Sequence, residues 1–492
     1  MKADPAISAA VSPTATPATD ARLYNEDLAP LPPERRSWGT YDLFAMWMSD
    51  VHSVGGYTFA ASLFFLGLNG WQVLFAMTVG ILIVYQLMNL IGKPSQKYGI
   101  PYPVMARISF GVMGANLAAL IRGIIGIVWY GVQTYLASKA VQVLLVTFIP
   151  ATAAYTHDSV FGLSTLGWVS FLFMWITQLM IFQRGMETIR HFIDFCGPAV
   201  YVMMFALAIW ILSKSGLGSL SLQLGDKHLT GGDVVWESAN AAMLVVAYFS
   251  ALLLNFGDFA RFGKSEAAMR RGNLWGLPVN FVVFSIVTVI VTAGTVGAFG
   301  VAIMDPVAIV ERIDNKFVVL AGSLTFIVAT MGINIVANFV SPAYDIANLA
   351  PRYIDFKKGG LITSILSVAV CPWLFVGSPA AITVFVSLFG SVLGPMYGIM
   401  VADYYLVKRQ LVNTADLYTM SPQCGLHYRG GWNLRALCAL GLSGLVSIGL
   451  ALAGKTGLMF DVGDWGWAIG ATLGAVFYVA FMRAAAPSAV AS

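Results

Sequence analysis

The sequence predicts an all-α integral membrane protein: twelve transmembrane helices, made of a five-plus-five inverted repeat and two further C-terminal helices. Three observations predict it. Of 492 residues, 58% are hydrophobic and 11% charged, with a mean hydropathy of +0.76, which is too apolar for a soluble chain of this size. Apolar segments long enough for spans of ~20 residues recur at 38–68, 70–92, 115–148, 162–183, 192–213, 236–256, 273–300, 317–340, 360–377, 380–406, 433–453 and 464–484. The Lys and Arg residues between them alternate in abundance. With the N-terminus inside, 21 lie on the cytoplasmic side and 5 outside, while Arg122 and Lys139 fall within a span, so the positive-inside rule places both termini in the cytoplasm.

Taken in order, residues 1–37 are rich in Ala, Pro, Ser and Thr with no apolar core, and read as a flexible cytoplasmic tail. A single membrane domain, 38–484, follows: a first repeat over 38–213, a second over 236–406, and two additional helices over 433–484. Residues 485–492 form a short cytoplasmic tail. The four cysteines lack CxxC spacing, so neither a metal knuckle nor a disulfide framework is indicated. A net charge of +4 without a long basic run gives no footprint for nucleic acid. No phosphate-binding loop is present, so ATP-driven pumping is disfavoured.

The first span holds the stretch around which the rest is organised, Trp47-Met48-Ser49-Asp50-Val51-His52-Ser53-Val54-Gly55-Gly56-Tyr57. Lipid offers no partner for a carboxylate, an imidazole, hydroxyls or broken backbone, so such a stretch must line a cavity as a discontinuous helix. The competing bland reading is a Gly-kinked span whose polar groups are satisfied by neighbours. The corresponding sixth span, around Ala239–Ser250, contains no Gly or Pro and is less clearly interrupted.

The third span carries Arg122, Trp129 and Gln133, spaced so that all three fall near one helix face. An aromatic plate beside an amide suits a flat lactam or imide ring, which needs a surface to stack on and a donor–acceptor edge. An interfacial Trp and an interhelical Gln would be the structural alternative. In the eighth span, Asn334 and Asn338 again share a face, and Asn338 completes such an edge unless both are packing glue. Arg122 requires a partner at its depth, and Asp258, at the inner end of the sixth span, is the expected one in a salt bridge closing an inner gate.

These stretches resemble the nucleobase:cation symporter family, which includes hydantoin, allantoin, uracil, cytosine and vitamin transporters. The resemblance rests on Tyr24-Asn25-Glu26-Asp27-Leu28, Trp47–Ser53, Trp129-Tyr130-Gly131-Val132-Gln133-Thr134, Asn338-Phe339-Val340-Ser341-Pro342-Ala343-Tyr344, Leu393–Met400, Asp403-Tyr404-Tyr405 and Asp416-Leu417-Tyr418, in order along nearly the whole chain. It implies the LeuT-like five-plus-five fold with alternating access, and a substrate between the first, third, sixth and eighth spans. It further implies that Trp129 stacks on the ring, that Gln133 and Asn338 bond its amide edges, and that Phe249 is the second stacking aromatic. Ser53 stands where relatives carry a longer amide.

The resemblance also implies a cation site formed by the Ser49 and His52 positions of the first span and Ala329 of the eighth. Two hydroxyl positions of a sodium-coupled member read Gly332 and Ile333 here. Asp50 and His52 offer groups that exchange protons near neutrality, so H+ is favoured as the coupling cation over Na+, with Asn334 the remaining candidate ligand for Na+. The expected function is secondary-active import of a nucleobase or related cyclic amide across a bacterial inner membrane, with uracil-type pyrimidines ranked just ahead of hydantoin and allantoin. The alternatives are an uncoupled facilitator or channel and, less favoured for want of a catalytic geometry, an enzyme. No cofactor is expected. The partners are the ring substrate and the lipid bilayer, and the sequence leaves the oligomeric state open, a monomer included.

Overall fold

The structure is a computed structural model. It describes residues 19–484 apart from 217, 219, 221, 225, 226, 228, 375–378 and 457–461, with the side chains of 379–383 and 455 also set aside. The predicted tails at 1–18 and 485–492 lie outside the described residues.

Helices occupy each of the twelve predicted segments, and among the described residues the only β pairing is isolated bridges. Among the described residues, nine helices are long and apolar enough to cross a membrane, or ten when one bent pair counts as a single span. The other two segments depart from a simple rod: 38–68 is divided in two, and 360–377 carries a 14-residue helix.

The division of the first segment falls within the polar stretch. Helix α1 (Thr40–Val51) starts where Asp42 accepts a 2.7 Å bond from the Gly39 amide, and ends at His52. Helix α2 (Val54–Ser62) restarts one residue later, its N-terminus capped by Ser53 Oγ, which accepts from the Gly56 amide at 2.8 Å. Such a cap satisfies a donor that lipid could not. Helices α3 (Gly70–Tyr98), α4 (Tyr102–Phe110), α5 (Ala115–Phe148), α6 (Thr165–Gln183) and α7 (Met186–Ser215) complete the first half.

The sixth predicted segment is also interrupted, without Gly or Pro in its central stretch. Helix α8 (Gly232–Tyr248) gives way to α9 (Ser250–Asn255) and α10 (Gly257–Ala260) across a 44° bend at Phe249, whose φ of −80° and ψ of 3° leave the helical range. After α11 (Glu266–Leu274), a π turn leads into α12 (Asn280–Phe299), with α13 (Pro306–Glu311) beyond. Helix α14 (Lys316–Ile333) runs through a seven-residue π segment, Asn334–Val340, into α15 (Ser341–Leu349), so that this apolar rod is 34 residues long and extends past the predicted 317–340. Helices α16 (Phe356–Ala369), α17 (Pro379–Ala402), α18 (Leu434–Lys455) and α19 (Gly466–Arg483) follow.

Packing puts the interrupted segments at the centre. Helix α5 lies along α14 and α15, while α1 packs on α7, α11 and α14. Helices α18 and α19 are appended to α17, where Gly394 and Gly398 let the α19 backbone approach so closely that a Cβ at 398 would sit 1.8 Å from Ala471 O. Small residues of this kind drive helix association where lipid removes the hydrophobic incentive.

The predicted tail is not free up to residue 37. From Asp20 onward it is laced to the end of the bundle: Tyr418 donates to Leu28 O at 2.7 Å, Arg261 to Asp27 O at 2.8 Å, Arg107 to Leu23 O at 2.8 Å, and Trp38 pairs its backbone with Phe262. Buried Arg107 and Arg261 need acceptors at that depth, and the carbonyls of this segment supply them.

Candidate functional site

One pocket sits where the breaks meet. It is lined by Trp129 and Gln133 of α5, Tyr248 at the α8–α9 bend, Ala251 and Leu252 of α9, and Ile333, Ala337 and Asn338 around the π segment. Trp129, Gln133 and Asn338, singled out from the sequence, are thus brought together. Ser53 joins them from the α1–α2 break: Gln133 Nε2 lies 3.5 Å from Ser53 Oγ, and the Gln133 amide rests on Gly55, where a Cβ would come within 2.9 Å of it. Gln133 is 1% exposed, and its Oε1 has no partner among the described residues. A buried polar atom left open in this way is a place for a ligand's donor.

The aromatic walls correct one expectation. Tyr248, not Phe249, lines the pocket, edge-on to Trp129 with ring centroids 5.9 Å apart and stacked on Phe59 at 4.5 Å. Phe249 is fully buried and turned to Phe281 at 5.6 Å. Adjacent helical residues point about 100° apart, so one of the pair can face the pocket while the other turns to the core. The free volume, about 20 Å³, is room for about one water. A ring substrate fits only once these aromatic walls move apart.

Asn334 also departs from expectation. Its Nδ2 donates to Tyr130 O at 3.1 Å, Thr134 Oγ1 at 3.0 Å and Gln178 Oε1 at 2.8 Å, and its Oδ1 accepts from Asn338 Nδ2 at 3.1 Å. Those partners lie on α5, α6 and the π segment, so Asn334 serves the pocket wall and not the cluster at the first break.

At that break, Ser49 Oγ, both carboxylate oxygens of Asp50 and His52 Nε2 are buried without a hydrogen-bond partner among the described residues. His52 Nδ1 lies 2.9 Å from Met48 O, and a carbonyl only accepts, so Nδ1 carries the proton and Nε2 is the open atom. Its ring packs against Tyr201 and Phe284. Ala329 is fully buried on the facing helix α14. Gly332 meets Ser49 directly, since a Cβ there would sit 2.1 Å from Ser49 Oγ. The Ser49 hydroxyl therefore fills the space that a side chain at 332 would take.

Arg122 finds a different direct partner from the one expected. Its Nη1 is 3.1 Å from Asp345 Oδ2 and its Nη2 donates to Ala337 O at 3.0 Å, with both side chains essentially inaccessible. Asp258 accepts from the Tyr102 amide at 2.8 Å and stays within electrostatic reach of the guanidinium without touching it. Asp345 escaped the sequence reading because the eighth apolar segment was ended at 340. The π segment carries the helix on, one residue beyond the Ser341–Tyr344 stretch.

This geometry can be set beside known proteins. Residues 30–470 match the family described as permeases for cytosine and purines, uracil, thiamine and allantoin. The chain belongs to this family. The allantoin permease of Bacillus subtilis is 35% identical over 474 residues, covering 96% of this chain and 95% of that one. The purine-uracil permease of Arabidopsis thaliana is 32% identical, covering 87% and 71%. Among solved structures, the nucleobase-cation-symport-1 family transporter MHP1, closed with bromovinylhydantoin bound, superposes with a TM-score of 0.77 at 23% identity, covering 94% of this chain and 95% of that one. Its inward-facing form gives 0.74. These likenesses show the fold, and membership makes this family protein a multi-pass membrane transporter of the nucleobase type.

Proposed function

We propose that the protein is a secondary-active symporter that imports a cyclic amide of the uracil, hydantoin or allantoin type across a bacterial inner membrane, both termini cytoplasmic, by alternating access in a twelve-span, five-plus-five repeat. The observation that carries the reading is the convergence of Trp129, Gln133 and Asn338 on one pocket between two interrupted helices. The ring lies between Trp129 and Tyr248, its amide edges bonded by Gln133 and Asn338 with Ser53 beside them. Broken helices at a central pocket are how transporters of this architecture expose polar groups to substrate. Arg122, Asp345 and Asp258 close the inner side.

Gln133→Ala or Asn338→Ala leaves a substrate polar group buried and unpaired. The expected cost is about 1–3 kcal/mol, a roughly 5- to 150-fold weaker Kd for allantoin, hydantoin or uracil in titrations of purified protein. Wild-type affinity in either variant for every one of these ligands rejects the site.

The coupling cation in this reading is H+, carried at the Ser49–Asp50–His52 break. An unpaired charged carboxylate at this depth is costly, and a proton relieves it. A dehydrated Na+ would need several converging oxygens, yet 332 and 333 are Gly and Ile, and Asn334 is engaged elsewhere.

A further inference from the structure

The two side chains that bond the ring in the proposed site differ in how they are held. Gln133 has only the 3.5 Å contact to Ser53, whereas Asn338 ends a chain of amides whose orientation is dictated from outside the pocket. The chain begins at two backbone carbonyls, which can only accept. Gln178 Nε2 donates to Met174 O at 3.1 Å, which turns Gln178 Oε1 toward Asn334. Asn334 Nδ2 donates to Tyr130 O at 3.1 Å as well as to that Oε1. Thr134 gives its hydroxyl proton to Tyr130 O at 2.7 Å, so its oxygen is free to accept from both Asn334 and Gln178. Every donor therefore points one way, and Asn334 Oδ1 faces Asn338, whose Nδ2 it receives at 3.1 Å.

Gln178, Thr134 and Asn334 are each 0% exposed. A flip of any of the three amides would set N–H against N–H or carbonyl against carbonyl with no water to relieve it. Asn338, 5% exposed at the pocket wall, is left with its Oδ1 and at most one N–H for a ligand.

We infer that Asn334, with Gln178 behind it, is a specificity-determining positioning residue: it locks the Asn338 amide so that the pocket presents an acceptor, and the transported ring must offer a donor N–H at that edge. This deepens the proposed function and rests on it. The cyclic ureides and imides meet the demand, whereas a ring whose matching edge bears only a lone pair leaves Asn338 Oδ1 buried and unpaired. Asn334 and Gln178 touch no substrate, and act through Asn338.

The test is a double-mutant cycle on purified full-length protein, titrating allantoin, hydantoin and uracil and following whichever wild type binds tightest. Asn334→Ala is expected to weaken binding about tenfold in the wild-type background, and Gln178→Leu by less. Neither should weaken it further in the Asn338→Ala background, because the group they orient is gone. Should Asn334→Ala unfold the protein, Gln178→Leu alone completes the cycle, since it leaves the Asn334 bond to Tyr130 in place. An equal loss in both backgrounds overturns the inference and makes these residues packing glue. A wild-type Kd in the Asn338→Ala protein, or no binding of any of the three ligands to wild type, instead overturns the proposed site itself.

Discussion

Arg122→Ala is expected to destabilise the protein by about 3–5 kcal/mol, because removing one partner of a buried ion pair strands the other charge. The guanidinium is 0% exposed and sits 3.1 Å from Asp345, which is 1% exposed. It also bonds Ala337 O inside the π segment, so it ties α5 to the rod that carries Asn338. Thermal unfolding in detergent should show the loss, and the double variant Arg122→Ala, Asp345→Ala should recover part of it, since no unpaired charge remains. Asp258→Asn should cost much less, as Asp258 has no direct contact with Arg122. A single Arg122→Ala variant as stable as wild type would contradict this account of the inner closure.

The second large effect is expected at Asp50. Asp50→Asn keeps the shape and removes the titratable proton, and neither carboxylate oxygen has a protein partner to lose. Substrate binding and exchange between equal concentrations across the membrane should persist, while accumulation driven by a proton gradient should fall to the level of equilibration. A His52→Gln variant should be milder, because the Nδ1 proton is held by Met48 O and the ring is boxed by Tyr201 and Phe284. Full gradient-driven accumulation by Asp50→Asn would remove this residue from the coupling step.

The break in the first span is legible because Ser49, Asp50, His52 and Ser53 clustered within an apolar run have no stable place against lipid. The break in the sixth is not. Its residues carry no Gly or Pro, and the bend at Phe249 goes with tertiary packing, Tyr248 stacked on Phe59 and Phe249 edge-on to Phe281. Spacing alone could not tell which of two adjacent aromatics faces the pocket. Trp129, Gln133 and Asn338 were legible by their chemistry on apolar helices. The direct partner of Arg122 was not, because a π segment has no sequence signature that hydropathy detects, and it moved Asp345 inside the span. Asn334 was read as a ligand for the ion by its type. Its role depends on Gln178, which contacts it from 156 residues away. The composition of 1–37 as a whole reads as a flexible tail, which hides the carbonyls of Leu23 and Asp27 that Arg107 and Arg261 bind.

The central claim is a pocket that loads a ring amide and couples it to a cation gradient. Uptake of radiolabelled allantoin, hydantoin and uracil into proteoliposomes containing the full chain tests it most directly, with the pH and Na+ gradients imposed separately. The account predicts accumulation of at least one of the three above its external concentration under an inward proton gradient at fixed salt. That accumulation should be abolished by a protonophore and unchanged when choline replaces Na+. Equilibration without accumulation under either gradient, or accumulation that strictly requires Na+ with no pH gradient, would contradict it.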